Sequence, residues 1–200
     1  MHRLRSDLVH RAGACPRCEG LEDHVRAFFV GRRIDRVEWT GGGPIGERNP
    51  HFHVLRVAPG NGDDLWTYVS IGNWAWESDG GRGLEFVLAT ATPTERAVEL
   101  LAWNSWYDRT GTLGLGHTVP IGEPWLPGSA CDHWLISPPY PWGPELEVAH
   151  IEGTHVDFLW LVPITASERD FKAEHGQEQL EQRFEAAAIR FWDPQRVTVA

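Results

Sequence analysis

The sequence predicts an α+β domain in which a mixed, mainly antiparallel sheet of about six to eight strands is packed by three or four helices. Two observations support this fold class. Short apolar segments of strand length recur along the chain and are separated by turns rich in Gly and Pro. Helical patterns are fewer, and two of them follow one another near the C-terminus.

The composition is that of an ordinary globular protein, with 42% hydrophobic and 23% charged residues in a chain of 200. We expect an N-terminal arm at residues 1–19 and a single domain at residues 20–195. Eleven tryptophans are the outlier. We expect most of them to fill core and half-buried positions, and a sugar-stacking or peptide-gripping surface is the alternative.

The formal net charge of −10 argues against nucleic-acid binding, because contact with phosphates requires a basic surface. The same charge suits a basic protein partner. No apolar run reaches the roughly 18 residues of a membrane span, and residues 1–10 lack the apolar core of a secretory signal. We therefore expect no membrane contact and a cytoplasmic location.

The first half of the chain begins with a helix and continues in strands. One helical face is apolar, at Leu21, Val25, Phe28 and Phe29. Gly31 is suited to end this helix. Apolar and alternating segments then predict strands, at residues 34–39, 52–57, 65–71 and 84–89. The last of these is apolar except for Glu85, as expected for an interior strand.

Two pairs of residues carry helix-start signals. Thr92 as N-cap with Glu95 three residues later predicts a helix that runs to about residue 107. Thr165 with Glu168 is a second capping box and predicts a helix to residue 175, followed by a last helix. Between these helices, apolar segments predict three strands, at residues 133–137, 148–151 and 156–162.

The stretch at residues 114–125 is too apolar for a solvated loop and too interrupted by Gly and Pro for a helix or a long strand. Because histidine is the side chain suited to acid–base chemistry at neutral pH, His117 could act as a general base, with Glu123 close in sequence. No Ser or Cys nucleophile lies in a recognisable motif around it, so a buried, hydrogen-bonded imidazole is the simpler interpretation. A small metal-dependent or His-based hydrolase using the His117/Glu123 region is the alternative function.

Cys15 and Cys18 form a C-x-x-C pair, which is found in zinc and redox sites. No second C-x-x-C or finger-spaced His pair supplies further zinc ligands, and no strand precedes the pair. We therefore expect incidental thiols and no cofactor, with Cys15 and Cys18 as the candidates if a metal is bound. His51 and His53 share one face of a strand, which we interpret as a solvated edge.

Three motifs resemble those of the suppressor-of-fused domain. One is Gly-His-Thr-Val-Pro-x-Gly-Glu-Pro at residues 116–124, and another is Asp-Leu-Trp-Thr-Tyr-Val-Ser-Ile-Gly at residues 64–72. The third is Phe-Leu-Trp-Leu-Val-Pro-Ile-Thr at residues 158–165, followed by Ser-Glu-Arg at 167–169 and Lys-Ala-Glu-His-Gly at 172–176. Their order and spacing resemble compact, bacterial-type members of the family over residues 20 to 195.

The resemblance implies a protein-binding domain that is not an enzyme. The animal protein of this family has two lobes, and this chain resembles one of them. That protein clamps a zinc-finger transcription factor partly by strand addition. Compact bacterial-type members are proposed to be immunity proteins that neutralise toxins, and the acidic charge suits a basic toxin domain. We therefore expect a protein partner, with a toxin domain as the specific candidate, and no small-molecule substrate.

Loops and one helix face supply the candidates for partner binding, and burial in the core is the competing interpretation for each. The candidates are Trp74 and Trp76 in the loop at 73–83; Leu115, His117, Glu123 and Trp125 in the stretch at 114–125; Tyr140 and Trp142 in the Pro-rich loop at 138–142; and Lys172 and His175 near the end of a helix.

Overall fold

The structure is a computed structural model that describes residues 15–41, 43–60, 62–73, 82–108 and 113–200. Most of the predicted N-terminal arm lies outside these ranges. The described residues form eight strands: β1 (Ile34–Glu38), β2 (His53–Val57), β3 (Trp66–Ile71), β4 (Arg82–Thr90), β5 (Thr118–Pro120), β6 (His133–Ser137), β7 (Val148–Ile151) and β8 (Thr154–Ile164). Their helices are α1 (Pro16–Phe28), α2 (Gly43–Arg48), α3 (Glu95–Tyr107), α4 (Pro144–Glu147), α5 (Ala166–His175) and α6 (Gln177–Ala186).

The strands form one sheet in the order β1-β2-β3-β4-β8-β6-β5, and β7 pairs with the first part of β8. Every pair is antiparallel except β4 with β8, which is parallel. The prediction of an α+β fold with a mixed, mainly antiparallel sheet is confirmed. Helices α2 and α4, of six and four residues, lie in Gly- and Pro-containing segments for which no helix was predicted.

Strand β8 is eleven residues long, lies in the interior of the sheet and pairs with β4, β6 and β7. It is buried from Val156 to Ile164 because helices cover both faces of the sheet, and a strand covered on both faces reads as an almost continuous apolar run. Phe158 packs into the cluster under α1, while Leu161, on the opposite face, packs into the cluster under α3. Val162 packs into a third cluster, which includes Leu180 of α6.

Tryptophans mostly fill the interior, as expected from their large apolar surface. Of the nine that the structure describes, Trp103 alone is exposed, at 52%. Coplanar exposed indoles, which a carbohydrate-binding module would present, are therefore not a feature of the described residues.

None of the described helices combines the length and apolarity that a bilayer crossing requires.

Cys15 and Cys18 are joined by a disulfide at the start of α1, with their Cα atoms 5.2 Å apart. The expectation of incidental thiols is therefore wrong. The first helical turn brings residues three apart into bonding range, and the sulfur of Cys15 also accepts the N–H of Cys18 at the N-cap.

Two local predictions are wrong because tertiary contacts override them. His53 is fully buried and not at a solvated edge; its Nδ1 lies 2.8 Å from the carbonyl oxygen of His51, and its Nε2 lies 3.0 Å from the Glu22 carboxylate. The N-cap of α3 is Thr94 and not Thr92: its hydroxyl accepts the N–H of Arg96, and its own N–H donates to the Tyr68 hydroxyl of β3.

The predicted capping box at Thr165 and Glu168 is present, and its carboxylate has a second function. Glu168 is fully buried, and its two oxygens lie 2.8 and 2.6 Å from the guanidinium nitrogens of Arg196. Arg196 also donates to the carbonyl of Pro163, and the N–H of Val199 donates to Glu168. The C-terminal segment is therefore fastened to the end of β8 and the start of α5.

Removing either charge of this pair is expected to destabilise the fold strongly. The substitution R196M leaves a buried carboxylate without its cation, and E168Q leaves a buried guanidinium without its anion. We expect each to lower the free energy of unfolding by about 3–5 kcal/mol, measured by urea denaturation. The double variant should lose much less than the sum. D170N, which disrupts the exposed pair between Arg169 and Asp170, is the control and should change stability by less than about 0.5 kcal/mol. Additive losses in the double variant would contradict this account.

Burial of a histidine in α1 makes the fold sensitive to acid. The His24 ring stacks on Phe158 with centroids 5.4 Å apart. Burial lowers the pKa of His24, and a hydrogen bond with the Leu146 backbone opposes this only in part. Because the folded pKa lies below the unfolded value of about 6.5, the unfolded chain takes up the proton more readily. The contribution of neutral His24 to the free energy of unfolding is therefore complete above about pH 6.5, and it is lost as the pH falls through that value.

The variant H24Q should show a smaller loss of stability than the native chain between pH 8 and pH 5.5, measured by urea denaturation at several pH values. The substitution removes only the part of the pH dependence that is due to His24. A part due to His53 remains, because burial also lowers the pKa of His53. The control is H155Q, at a half-exposed histidine of β8, and an equal change in both variants would show that the effect is not specific to His24. An unchanged pH dependence in H24Q would show that His24 does not contribute.

Candidate protein-interaction surface

Strand β5 is an open edge of the sheet, because it pairs with β6 and with no other described strand. The carbonyl of His117 and the N–H of Ile121 bond to the segment that contains β6. Since backbone directions alternate along a strand, Thr118 and Pro120 direct their backbone groups outward. Pro120 has no N–H to offer, which limits pairing with a further strand at this edge.

The Gly- and Pro-rich stretch at 114–125 folds into β5 and the turns on either side of it. Gly116 and Gly122 adopt positive φ angles of 76° and 88°, which side chains other than glycine rarely accept. His117 is exposed, so the interpretation as a buried imidazole is wrong. Trp125 is fully buried, with its ring edge-on to Trp134 at 6.0 Å, and this corrects its choice as a partner-binding residue.

A cavity of about 530 Å³ lies between α3 and the β5 segment. Its walls combine polar side chains with the aromatic side chains of Trp103, Trp106, Tyr107 and Trp134. Trp103 and Tyr107 are 52% and 51% exposed, and Leu115 near the start of β5 is 53% exposed. Large apolar side chains that are exposed beside a cavity are typical of protein-binding sites. We call this region, centred on Trp103, Asn104, Tyr107 and β5, the β5-edge surface.

The rim of the cavity carries an ion-pair cluster with an excess of negative charge. Arg96 donates to the carboxylates of Glu99 at 2.6 Å and Glu123 at 2.7 Å. One guanidinium and two carboxylates leave a net charge of −1 at the rim. Because these side chains are partly exposed, the pairs contribute little to stability and can exchange partners at low cost.

Asn104 lies on the inner face of α3 and lines the cavity. It is 4% exposed, and both its amide nitrogen and its amide oxygen lack hydrogen-bond partners among the described residues. A buried polar group without a partner costs about 1–3 kcal/mol. Sequence reasoning missed this residue, although an Asn three and four positions after Leu101 and Leu100 on an apolar helix face was a usable signal.

The hydrolase alternative finds no assembled centre around His117 and Glu123. Glu123 is paired with Arg96, and within the described part of the chain the His117 side chain has no hydrogen-bond partner. His133, which lies nearby in sequence, is also engaged. Its Nε2 lies 2.9 Å from a guanidinium N–H of Arg169, which can only donate, so the proton is on Nδ1 and is donated to Asp132. Its nitrogens are therefore not free to act as a general base.

Metal binding is likewise unsupported at the candidate positions. Across the described ranges, no group of three or more His, Cys, Asp or Glu side chains is arranged to hold a metal ion. Cys15 and Cys18, the candidates from the sequence, are bonded to each other.

A second cavity, of about 680 Å³, lies on the opposite face of the sheet between α6 and the Pro-rich loop. Tyr140 and Pro141 line it, and Tyr140 is 66% exposed. Trp142 is half-buried; its ring packs edge-on against Trp160 at 5.8 Å, and its indole N–H donates to Thr67. The two aromatic candidates of this loop therefore differ, because only Tyr140 is presented to solvent.

Two further candidates for partner binding, Lys172 and His175, lie away from both cavities. Lys172 and His175 lie in the last turn of α5, and the His175 ring packs on Phe171 with centroids 4.3 Å apart. Neither residue lines a cavity described above. Trp74 and Trp76 lie outside the described residues.

Comparisons with protein families and with solved structures point to the same family. The family model of the suppressor of fused protein (SUFU) matches residues 48–197. The crystal structure of a SUFU homolog from Neisseria gonorrhoeae FA 1090 is 35% identical, with a TM-score of 0.80 over 92% of this chain and 97% of that chain. No curated protein matches the chain in sequence.

Two more distant structures share the fold. A chain in the Sufu–Fu complex crystal structure is 16% identical, with a TM-score of 0.72 over 92% of both chains. Drosophila Suppressor of Fused is 15% identical with a TM-score of 0.67, and this chain covers 51% of its length. On the family match and the 35% identity, the chain belongs to the suppressor-of-fused family, whose domain is a protein-interaction domain in SUFU proteins.

Proposed function

We propose that this chain is a non-catalytic immunity protein that binds a toxin domain through the β5-edge surface and thereby neutralises it. The observation that carries the proposal is the exposure of Trp103 and Tyr107 beside a cavity at an open strand edge. Aromatic side chains of this kind supply most of the binding energy in many protein interfaces. The alternative, a hydrolase at His117 and Glu123, has no comparable support.

The charge of the chain favours a basic partner. The whole chain has a formal net charge of −10, and the rim of the cavity has two carboxylates for one guanidinium. Complementary charge increases association rates and disfavours partners of the same sign. A basic toxin domain with an apolar contact patch fits these properties.

Protein binding also agrees with the relatives. A suppressor-of-fused chain has been crystallised in a Sufu–Fu complex, at 16% identity to this chain. The toxin partner itself rests on the resemblance to compact bacterial-type members and on the charge. The proposal places the chain in the cytoplasm.

The first test is co-expression of the chain with each protein encoded beside its own gene, followed by titration calorimetry of any complex. A stoichiometric complex with a neighbour that is toxic when expressed alone is expected. W103A should weaken this complex at least tenfold, because truncating a central interface tryptophan removes both its packing and its exclusion of water. V30A, at a residue after α1 that is 74% exposed, is the control and should bind normally.

The outcomes of this test are separable. Failure of every encoded neighbour to bind would contradict the immunity role. A complex that is insensitive to W103A would leave the immunity role standing and show that the β5-edge surface is the wrong site.

Asn104 gives a second test because stability and binding should respond in opposite directions. The variant N104L replaces an unpartnered buried amide with an apolar group of similar size. We expect the free energy of unfolding to stay the same or rise by about 1–2 kcal/mol, since the desolvation cost is removed. We expect binding of the toxin partner to weaken, since the partner loses the amide as a hydrogen-bond group.

Both quantities can be measured on one preparation, by urea denaturation and by titration calorimetry. N104L that destabilises the free chain would show that the amide is satisfied in the native protein. Unchanged partner affinity would show that the cavity does not receive a polar group from the partner.

A further inference from the structure

The cavity between α6 and the Pro-rich loop combines aromatic walls with carboxylates and is not used by the function proposed above. We call it the acidic aromatic groove and define it by Tyr140, Trp160, Glu181, Glu185, Phe191 and Trp192. We infer that this groove binds an arginine side chain presented by a protein partner.

The aromatic walls are held in place by ring packing. Phe191 is edge-on to Trp160 at 5.2 Å and to Phe184 at 5.0 Å. Trp160 belongs to β8, so the floor of the groove is part of the sheet. Tyr140 is 66% exposed at the mouth. A guanidinium favours such a site because it is planar, weakly hydrated and stacks on aromatic faces.

The carboxylates of the groove are those of Glu181 and Glu185 on α6. Glu181 accepts a hydrogen bond from Gln177 at 2.7 Å, and Glu185 is exposed. Within the described residues, neither carboxylate forms an ion pair. Because they are four residues apart on α6, they face the same side of the helix and repel each other. A bound cation would remove this repulsion and accept both carboxylates as partners.

The arginines closest in sequence are directed elsewhere. Arg183 donates to the carbonyl of Val199, and its guanidinium lies 3.8 Å from the centre of the Phe171 ring. Arg190 is exposed and does not line the groove. The groove is therefore acidic as well as aromatic. Its charge disfavours an anionic ligand, and a purely apolar ligand would make no contact with the carboxylates that uses their charge.

The volume of the groove and the fixed position of one of its walls also suit a side chain that a partner supplies. A volume of about 680 Å³ exceeds one arginine side chain and leaves room for flanking residues of a peptide. The wall formed by Phe191 and Trp192 belongs to the segment that Arg196 fastens to Glu168, so this wall is fixed before a ligand arrives.

The inference does not depend on the toxin partner, because the groove lies on the opposite face of the sheet from the β5-edge surface. It can be tested with the purified chain and a short peptide. The probe is acetyl-Leu-Arg-Leu-amide, and the matched probe contains citrulline, which keeps the shape of arginine without its charge. A lysine peptide shows whether the planar guanidinium matters.

Binding is followed by NMR of the indole N–H signals, with Trp160 and Trp192 assigned through Phe substitutions. The arginine peptide should shift both signals saturably at low ionic strength, and added salt should weaken the binding. The citrulline peptide should bind at least about tenfold more weakly, and the lysine peptide should lie between them. Equal binding of the arginine and citrulline peptides, or no saturable shift, would overturn the inference.

The double variant E181Q/E185Q should lower affinity for the arginine peptide about tenfold. The matched control is E174Q/E178Q, which removes the same charge from exposed positions of α5 and α6 outside the groove. The control should keep affinity within about twofold. An equal loss in both variants would show that net charge, and not the groove, attracts the peptide. Shifts confined to other indoles, such as that of Trp103, would place the binding elsewhere and overturn the inference.

Discussion

The parallel pairing of β4 with β8 is the interaction on which the rest of the structure depends. It runs from Arg82 opposite His155 to Val87 opposite Trp160, and it joins the antiparallel strands β1–β4 to the strands β5–β8. A parallel pair at the centre of a sheet needs cover on both faces. Helix α3 covers one face, and helices α1 and α6 cover the other. The two proposed binding surfaces therefore lie on opposite faces of one sheet and are each formed where a covering helix meets the β5–β6 end.

Buried polar groups complete this arrangement at the points where strand pairing stops. The carboxylate of Glu85 accepts the hydroxyl of Ser70 and the N–H groups of Gly72 and Asn73, where β3 separates from β4. Glu168 does the same for the end of β8 and the C-terminal segment. Both follow the general rule that a buried carboxylate is stable when several donors surround it. The Asn104 amide has no such partners among the described residues, and this is why the proposed partner contact is placed at its cavity.

Membership of the suppressor-of-fused family establishes the fold and the protein-interaction class, but the choice of partner depends on surface chemistry. Both proposed surfaces combine exposed aromatic side chains with carboxylates in a chain of net charge −10. That combination suits partners that are basic and partly apolar. Most of the tryptophans that the structure describes instead fill the interior between the sheet and its covering helices.

Local physical chemistry alone determined much of this protein. Side-chain periodicity predicts the strands around Val54, Val69 and Phe158, and the hydrogen bonds of a capping box place the start of α5 at Thr165, because these features depend on neighbours in sequence. Tertiary structure decided the rest. It buries His53 and Trp125, exposes His117, and pairs Glu168 with Arg196, 28 residues away. It also brings Asn104 beside β5 and Glu181 beside Trp160. Periodicity says which face of an element is apolar, but only the long-range pairing of β4 with β8 fixes which faces meet and which polar groups they leave at a cavity.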